Sequence, residues 1–249
     1  MLILLPPSEG KHAPRSGKPL GDLSLPALSA ARETVLGALI KLCEGDPSRA
    51  ALALGLTAGQ SAEVQRNALL RTAPTATAEK IYTGVLYEAL DVATLPPAAL
   101  RSARKNILVF SALWGVVSMG DRIPAYRCSA GVTLPGAGSV NTFWRKALAA
   151  PLAEHAGGQL IIDLRSGPYA SMWKPGPNTA VLRVLHERSP GVRTVVSHFN
   201  KATKGRLVRD LLLAGAKPRH PAELARDLRD LKYQVEDEGT ALDVIVTEL

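Results

Sequence analysis

The sequence predicts an α/β protein: a single domain over residues 1–249, with mixed β-structure surrounded by helices. Three short apolar runs each stop abruptly in a polar, mostly basic cluster. Leu2-Ile3-Leu4-Leu5 leads into Pro6-Pro7-Ser8-Glu9-Gly10-Lys11, and Ile161-Ile162-Asp163-Leu164 into Arg165-Ser166-Gly167-Pro168-Tyr169. Val195-Val196-Ser197-His198-Phe199 leads into Asn200-Lys201-Ala202-Thr203-Lys204. Runs of this length and composition read as buried strands. Strand-like and helix-like patterns also alternate along the chain with no repeat of fixed period, which excludes a solenoid or a bundle. At 249 residues, 46% of them hydrophobic, the chain has enough apolar material for a substantial core.

Taken in order, the first strand at Leu2–Leu5 is followed by a helix over Leu25–Leu42, whose apolar residues Leu28, Ala31, Val35, Leu39 and Leu42 fall at helical spacing before the Gly45-Asp46-Pro47 stop. A second helix is expected near Ala62–Leu70. Arg71–Ala78, rich in Thr, Ala and Pro, reads as a loop and a flexible insertion. Ile107–Phe110 is a strand. Thr133–Ser139 is a Pro/Gly loop that feeds a helix over Val140–Ala149, capped near Ser139 or Asn141. Further strands are expected at Gln159–Leu164, Ala180–His186, Val192–Phe199 and Leu242–Thr247, and further helices at Lys204–Ala214 and Pro221–Leu231.

The formal net charge of +8 suits a polyanionic partner, nucleic acid above all. Aromatic residues make up only 4% of the chain, so base stacking on single strands is a weak prospect and contact with duplex phosphates fits better. Cys43 and Cys128 stand far apart with no CxxC, which suggests neither a zinc knuckle nor a disulfide framework. The five histidines form no i, i+4 pair, so no metal site and no cofactor is expected. No stretch approaches the roughly 20 apolar residues of a membrane span, and the first apolar run is cut at Pro6-Pro7 without a basic leader, so a cytoplasmic protein is expected.

Gly10 to Lys18 fails as a Walker A loop, because six residues instead of four precede the Gly-Lys pair and Pro19 follows it. Gly136-Ala137-Gly138 is at most half a dinucleotide fingerprint. The strand-end clusters are sharper. Ligands of α/β proteins bind beyond the carboxyl ends of the strands, so Ser8, Lys11, Arg165, Ser166, Tyr169 and Lys201 are expected to meet there and hold an anion. A loop of similar character holds Arg122 and Arg127 around Pro124-Ala125-Tyr126. Between Arg193 and Arg219 lie Lys201, Lys204, Arg206, Arg209 and Lys217, against the single acid Asp210. Two helices here, joined by a short hairpin at Gly215, Pro218 and Pro221, would present cations and backbone amides to phosphates.

Taken together, the motifs resemble the YaaA family of peroxide-stress proteins. The matching pieces are Met1-Leu2-Ile3-Leu4 with Pro7-Ser8 and a nearby lysine, Tyr82-Thr83-Gly84, Ser111–Val116, Pro124-Ala125-Tyr126-Arg127, Phe143-Trp144, Asp163-Leu164 with Ser166 and Tyr169, and Val196-Ser197 through Lys201, Lys204-Gly205 and Arg206. They occur in family order and span nearly the whole chain. The resemblance implies a YaaA-like topology with a positively charged cleft, a helix-hairpin-helix-like element in the C-terminal part, binding to duplex DNA, and a role in limiting iron-dependent oxidative damage.

Two functions are therefore expected. The first is duplex DNA binding, with Lys11, Arg165, Lys201, Lys204, Arg206, Arg209, Lys217 and Arg219 as the phosphate contacts. The alternative is an enzyme acting on a nucleotide or nucleobase, with Ser8, Lys11, Arg127, Ser166 and Tyr169 as candidate catalytic groups around a small anionic ligand.

Overall fold

The computed structural model describes residues 1–189, 192–194, 197–237 and 241–247, with 197–199 described by their backbone. Its main sheet has eight strands: β1 (Leu2–Leu5), β2 (Ile107–Ser111), β3 (Gly115–Ser118), β4 (Ile161–Asp163), β5 (Thr179–Ser189), β6 (Val192–Thr194), β7 (Gln234–Asp237) and β8 (Ala241–Val246). The strand order is β7-β8-β5-β4-β1-β2-β3, with β6 paired to β5. Strands β8, β5, β4, β1 and β2 run parallel, while β3, β6 and β7 are antiparallel additions.

The short parallel strands form because they are apolar on both faces. All four residues of β1 and all five of β2 are buried, as expected for strands covered on both sides. Ile3 pairs with Ile107 on one side and Ile162 on the other, so β1 is the hinge of the sheet's register. Edge strand β7 is different: it buries Val235 alone, between exposed Gln234 and half-buried Glu236.

Helix α1 (Ser29–Glu44) buries Val35, Leu36, Leu39, Ile40 and Cys43 and follows a 3-10 turn at Pro26–Leu28. Short helix α2 (Val85–Leu90) and helix α3 (Pro97–Asn106) precede β2. Helix α4 (Val140–Ala147) begins where expected, with the Ser139 side chain accepting from the Thr142 N–H as N-cap. Its Trp144 is fully buried and donates from Nε1 to the Ala112 carbonyl. Trp144 also fixes Gly115, which sits at φ 71°, where a Cβ would lie 2.6 Å from the indole. Helices α5 (Ser197–Leu213) and α6 (Pro221–Asp230) close the C-terminal part, joined through residues 214–220 with Gly215 at φ 64°.

Three expectations need correction. The strand expected over Val192–Phe199 is confined to Val192–Thr194; residues 195–196 lie outside the described residues, and α5 has begun by Ser197, seven residues before the expected start. Thr203, Leu207 and Leu211 are buried at four-residue spacing, a helical stripe that holds the turn upstream of Lys204 in the same helix. The Arg71–Ala78 segment is pinned. Ala76–Thr77 pairs with Arg122–Ile123, and buried Thr75 donates from its hydroxyl to the Lys18 carbonyl at 2.8 Å. The expected Thr133–Ser139 loop contains a small hairpin, Thr133–Leu134 against Gly138–Ser139.

Helices α5 and α2 cross at Gly205. A Cβ there would meet the Leu86 carbonyl oxygen at 2.2 Å and Ala89 Cβ at 2.8 Å. Gly205→Ala should therefore destabilise the protein by about 1–3 kcal/mol, the usual cost of overpacking. Urea denaturation would show this as a lowered midpoint at unchanged slope.

Candidate functional site

The loop after β1 and the loop after β4 leave the same edge of the sheet and face the first turns of α5 across a cleft of about 460 Å³. The cleft wall includes Ser8, Glu9, Lys11, Arg127, Cys128, Ser166, Tyr169, Asn200, Lys201 and Lys204.

The first loop is shaped by contacts with the segment around Tyr82. Ser8 Oγ donates to the Gly10 carbonyl (2.6 Å) and accepts from the Thr83 N–H (3.1 Å). Lys11 makes a single β-bridge with Tyr82, and the His12 N–H donates to the Ile81 carbonyl at 2.8 Å. Tyr87 of α2 donates its hydroxyl to the Pro6 carbonyl at 2.6 Å. With the backbone held in this way, Lys11 Nζ donates to the carbonyls of Ser8 (2.8 Å) and Glu9 (3.4 Å) and lies 4.2 Å from the Tyr126 ring centroid and 5.7 Å from that of Tyr82. Both rings belong to a buried hydroxyl chain: Ser111 Oγ lies 2.7 Å from the Tyr126 hydroxyl, which lies 3.0 Å from that of Tyr82. Ser111 Oγ accepts from the N–H groups of Leu113 and Trp114, so its own proton points to Tyr126.

Burial, reinforced by the neighbouring Arg127 guanidinium, lowers the Lys11 ammonium pKa to about 8. Burial also lowers Lys204, against the opposing pull of Asp163, while its Nζ donates to the Leu164 carbonyl at 3.1 Å. Burial pushes both the Tyr169 phenol and the Cys128 thiol up to about 12, which keeps them protonated at neutral pH. Arg127 is clamped by its backbone to buried Asn67, whose side-chain amide accepts from the Arg127 N–H (2.9 Å) and donates to its carbonyl (2.7 Å). Its guanidinium donates to Glu9 Oε2 at 2.5 Å. The cleft thus gathers four cations, Lys11, Arg127, Lys201 and Lys204, against one carboxylate, Glu9.

Arg165 takes a different place from the one expected of an anion ligand. Its side chain is 1% exposed and forms a two-pronged ion pair with Asp163, Nε to Oδ1 at 2.8 Å and an NH2 nitrogen to Oδ2 at 2.6 Å. It also donates to the carbonyls of Tyr169 and Trp173 and stacks 4.2 Å over the Phe110 ring. A guanidinium so committed shapes the turn and is turned away from any ligand. Arg209 is likewise occupied, donating to the carbonyls of Leu90 and Asp91 and to Thr94 Oγ1 beyond the end of α2. Arg206 is exposed beside Thr203 and outside the cleft wall.

Lys217 and Arg219 lie elsewhere. With Arg101, Lys105 and His220 they line a groove of about 1100 Å³ that also includes Met1, Asn106, Leu160 and Asn178. Those last four residues immediately precede β1, β2, β4 and β5, so the groove lies at the amino ends of the strands, opposite the cleft. Among the described residues, no carboxylate lines it, and Glu223 accepts from the Arg219 backbone N–H beside it. Among the described residues, no group of three or more His, Cys, Asp or Glu gathers to hold a metal ion.

Asn67 is a part of the site that the sequence did not disclose, whereas Asn200, Ser111, Tyr126 and Tyr82 stand in segments noted above without a role at the site. Asn67 reaches Arg127 across 60 positions with no local pattern to announce it. The Asp163-Arg165 pair carried a signal, since residues two apart at a strand end share a face.

The family model described as peroxide stress protein YaaA matches residues 1–239. The chain belongs to this family. A UPF0246 protein of Streptomyces coelicolor is 55% identical over the full length of both chains. A UPF0246 protein of Corynebacterium efficiens is 40% identical over 95% of each chain. One from Corynebacterium glutamicum is 42% identical over 90% of this chain and 89% of its own. Family membership covers the strand-end cleft and the opposite groove alike, because the residues of both lie within the matched span. No described helix is long and apolar enough to cross a membrane.

Sulfate keeps its charge across mild alkaline pH, so its affinity for the cleft reports on the protein alone. That affinity should fall as pH rises through about 8 and the Lys11 ammonium loses its proton. Lys11→Arg should remove this pH dependence, as followed by calorimetric titration.

Proposed function

We propose that the protein serves the peroxide response as a cytoplasmic duplex DNA-binding protein that limits iron-dependent damage. The observation that carries this reading is the groove at the amino ends of the strands, where Arg101, Lys105, Lys217, Arg219 and His220 collect, with Glu223 the near carboxylate, accepting from the Arg219 backbone N–H at 2.7 Å. Lys217 and Arg219 lie in the 214–220 connection between α5 and α6, which in this reading serves as the helix-hairpin-helix-like element that the family resemblance implies. All five side chains are exposed and free to meet a phosphate backbone. Cations that neutralise phosphates release the condensed counterions of the duplex. Ferrous ions are among the ions displaced, which moves peroxide chemistry away from the backbone. This links DNA binding to protection from peroxide.

A second reading, catalysis on a nucleotide or nucleobase in the cleft, is favoured by one observation. The buried ammonium of Lys11 is held near pKa 8, whereas a group needed only for its charge gains nothing from partial neutrality. Ser8, Ser166 and Tyr169 supply hydroxyls in the same wall, and Lys201 and Lys204 supply charge for a phosphate.

Contact of the four permanent cations of the groove with phosphates predicts that log K for duplex DNA falls with log salt at a slope of about −4. Lys105→Glu combined with Lys217→Glu should weaken binding more than tenfold, while Lys201→Glu in the cleft should change it little. Fluorescence anisotropy with a labelled duplex of arbitrary sequence checks both. Undetectable binding at low salt, or loss caused only by the cleft variant, would overturn the assignment.

A further inference from the structure

The neutral form of Lys11 has a distinctive arrangement. Its two N–H groups have two acceptors ready, the carbonyls of Ser8 and Glu9, and the flat face of Tyr126 lies 4.2 Å away. Both N–H groups can thus be held while the lone pair is left over, on a side chain that lines the cleft. A desolvated amine beside another cation is the usual form of a lysine nucleophile toward carbonyl compounds. The rest of the wall describes the carbonyl compound. Lys201, Lys204 and Arg127 provide cations for a phosphate, while Ser166 and Asn200 offer polar groups suited to sugar hydroxyls. A volume of about 460 Å³ accommodates a pentose phosphate.

We propose that Lys11 is a nucleophile that forms an imine with the aldehyde of a phosphate-bearing sugar. This deepens the second reading above and rests on the cleft being a phosphate site. In the step, the amine lone pair attacks the aldehyde carbon and a C–N bond forms. The carbonyl oxygen then leaves as water with the two amine protons, and no electron is gained or lost overall. Tyr169, protonated at neutral pH and in the same wall, is the O–H group suited to assist departure of the hydroxyl. The aldehyde has two sources of the same chemistry, a free sugar phosphate or the opened sugar at an abasic position in DNA.

The test is borohydride trapping on the full-length protein, followed by peptide mapping. The probes are ribose 5-phosphate, a duplex carrying one abasic site, and unphosphorylated ribose as control. The expected result is an adduct at Lys11 at least tenfold above those at Lys201, Lys204 and exposed Lys41. It should form faster as pH rises through about 8, be suppressed by added sulfate and be lost in Lys11→Arg. Preference for one phosphorylated probe identifies the source. Adducts spread evenly over the lysines, or equal trapping of ribose, overturn the proposal, and mapping of the unmutated protein makes that outcome independent of how any variant folds. If sulfate binds the cleft but Lys11 remains unmodified, the imine is rejected and the phosphate site stands; if sulfate does not bind either, both fall.

Discussion

The parallel pairing of β1 with β2 and β4 is the constraint on which the rest of the molecule depends. A four-residue strand has few backbone bonds of its own, and it keeps its place because every side chain is buried and both neighbours share its register at Ile3. Parallel strands all deliver their chain ends to the same edge. Pro6 and Leu164 therefore leave the sheet side by side, which brings Lys11 and Tyr169 to a common wall although 158 positions of sequence separate them. The same pairing places Met1, Asn106, Leu160 and Asn178 together at the other edge.

Much of this was legible in the sequence for a simple reason. An apolar run that stops at a polar cluster reports both the strand and the edge at which it ends, so β1 and β4 could be read with the residues that follow them. The third run was misread because Val195 to Phe199 has strand composition but passes into α5, where the buried spacing of Thr203, Leu207 and Leu211 decides the backbone. Edge strands β3 and β7 were not legible: β3 is a short buried run that follows β2 after only residues 112–114, so the two read as one apolar stretch, and β7 buries Val235 alone and lacks a continuous apolar signature. Charge was legible in amount but not in placement. The basic C-terminal third appeared as one patch, and three-dimensional structure divides it: Lys201 and Lys204 at one edge, Lys217 and Arg219 at the other, and Arg209 in a structural contact.

Arg165 shows why residue type alone does not assign a role. It stands at a strand end, next to serine and glycine, as an anion ligand would. Asp163 lies two positions earlier on the same face, and a planar fork with a carboxylate in reach pairs with it before it pairs with solvent or ligand. The pair is costly to desolvate, yet the carbonyls of Tyr169 and Trp173 and the Phe110 face satisfy most of what remains of the guanidinium. It thereby fixes the turn that carries Ser166 and Tyr169, leaving the charge facing the cleft to more adaptable lysines.

Helix α2 touches both sides of that cleft. Tyr87 grips the end of β1 through Pro6, Leu86 contributes to the wall, and Gly205 and Arg209 bind α5 to the same short helix. The aperture between Lys11 and Lys204 is thus gauged by a strut that carries neither residue. An added methyl group at position 205 would act as a spacer, resetting the span available to a bound molecule without altering a single charge.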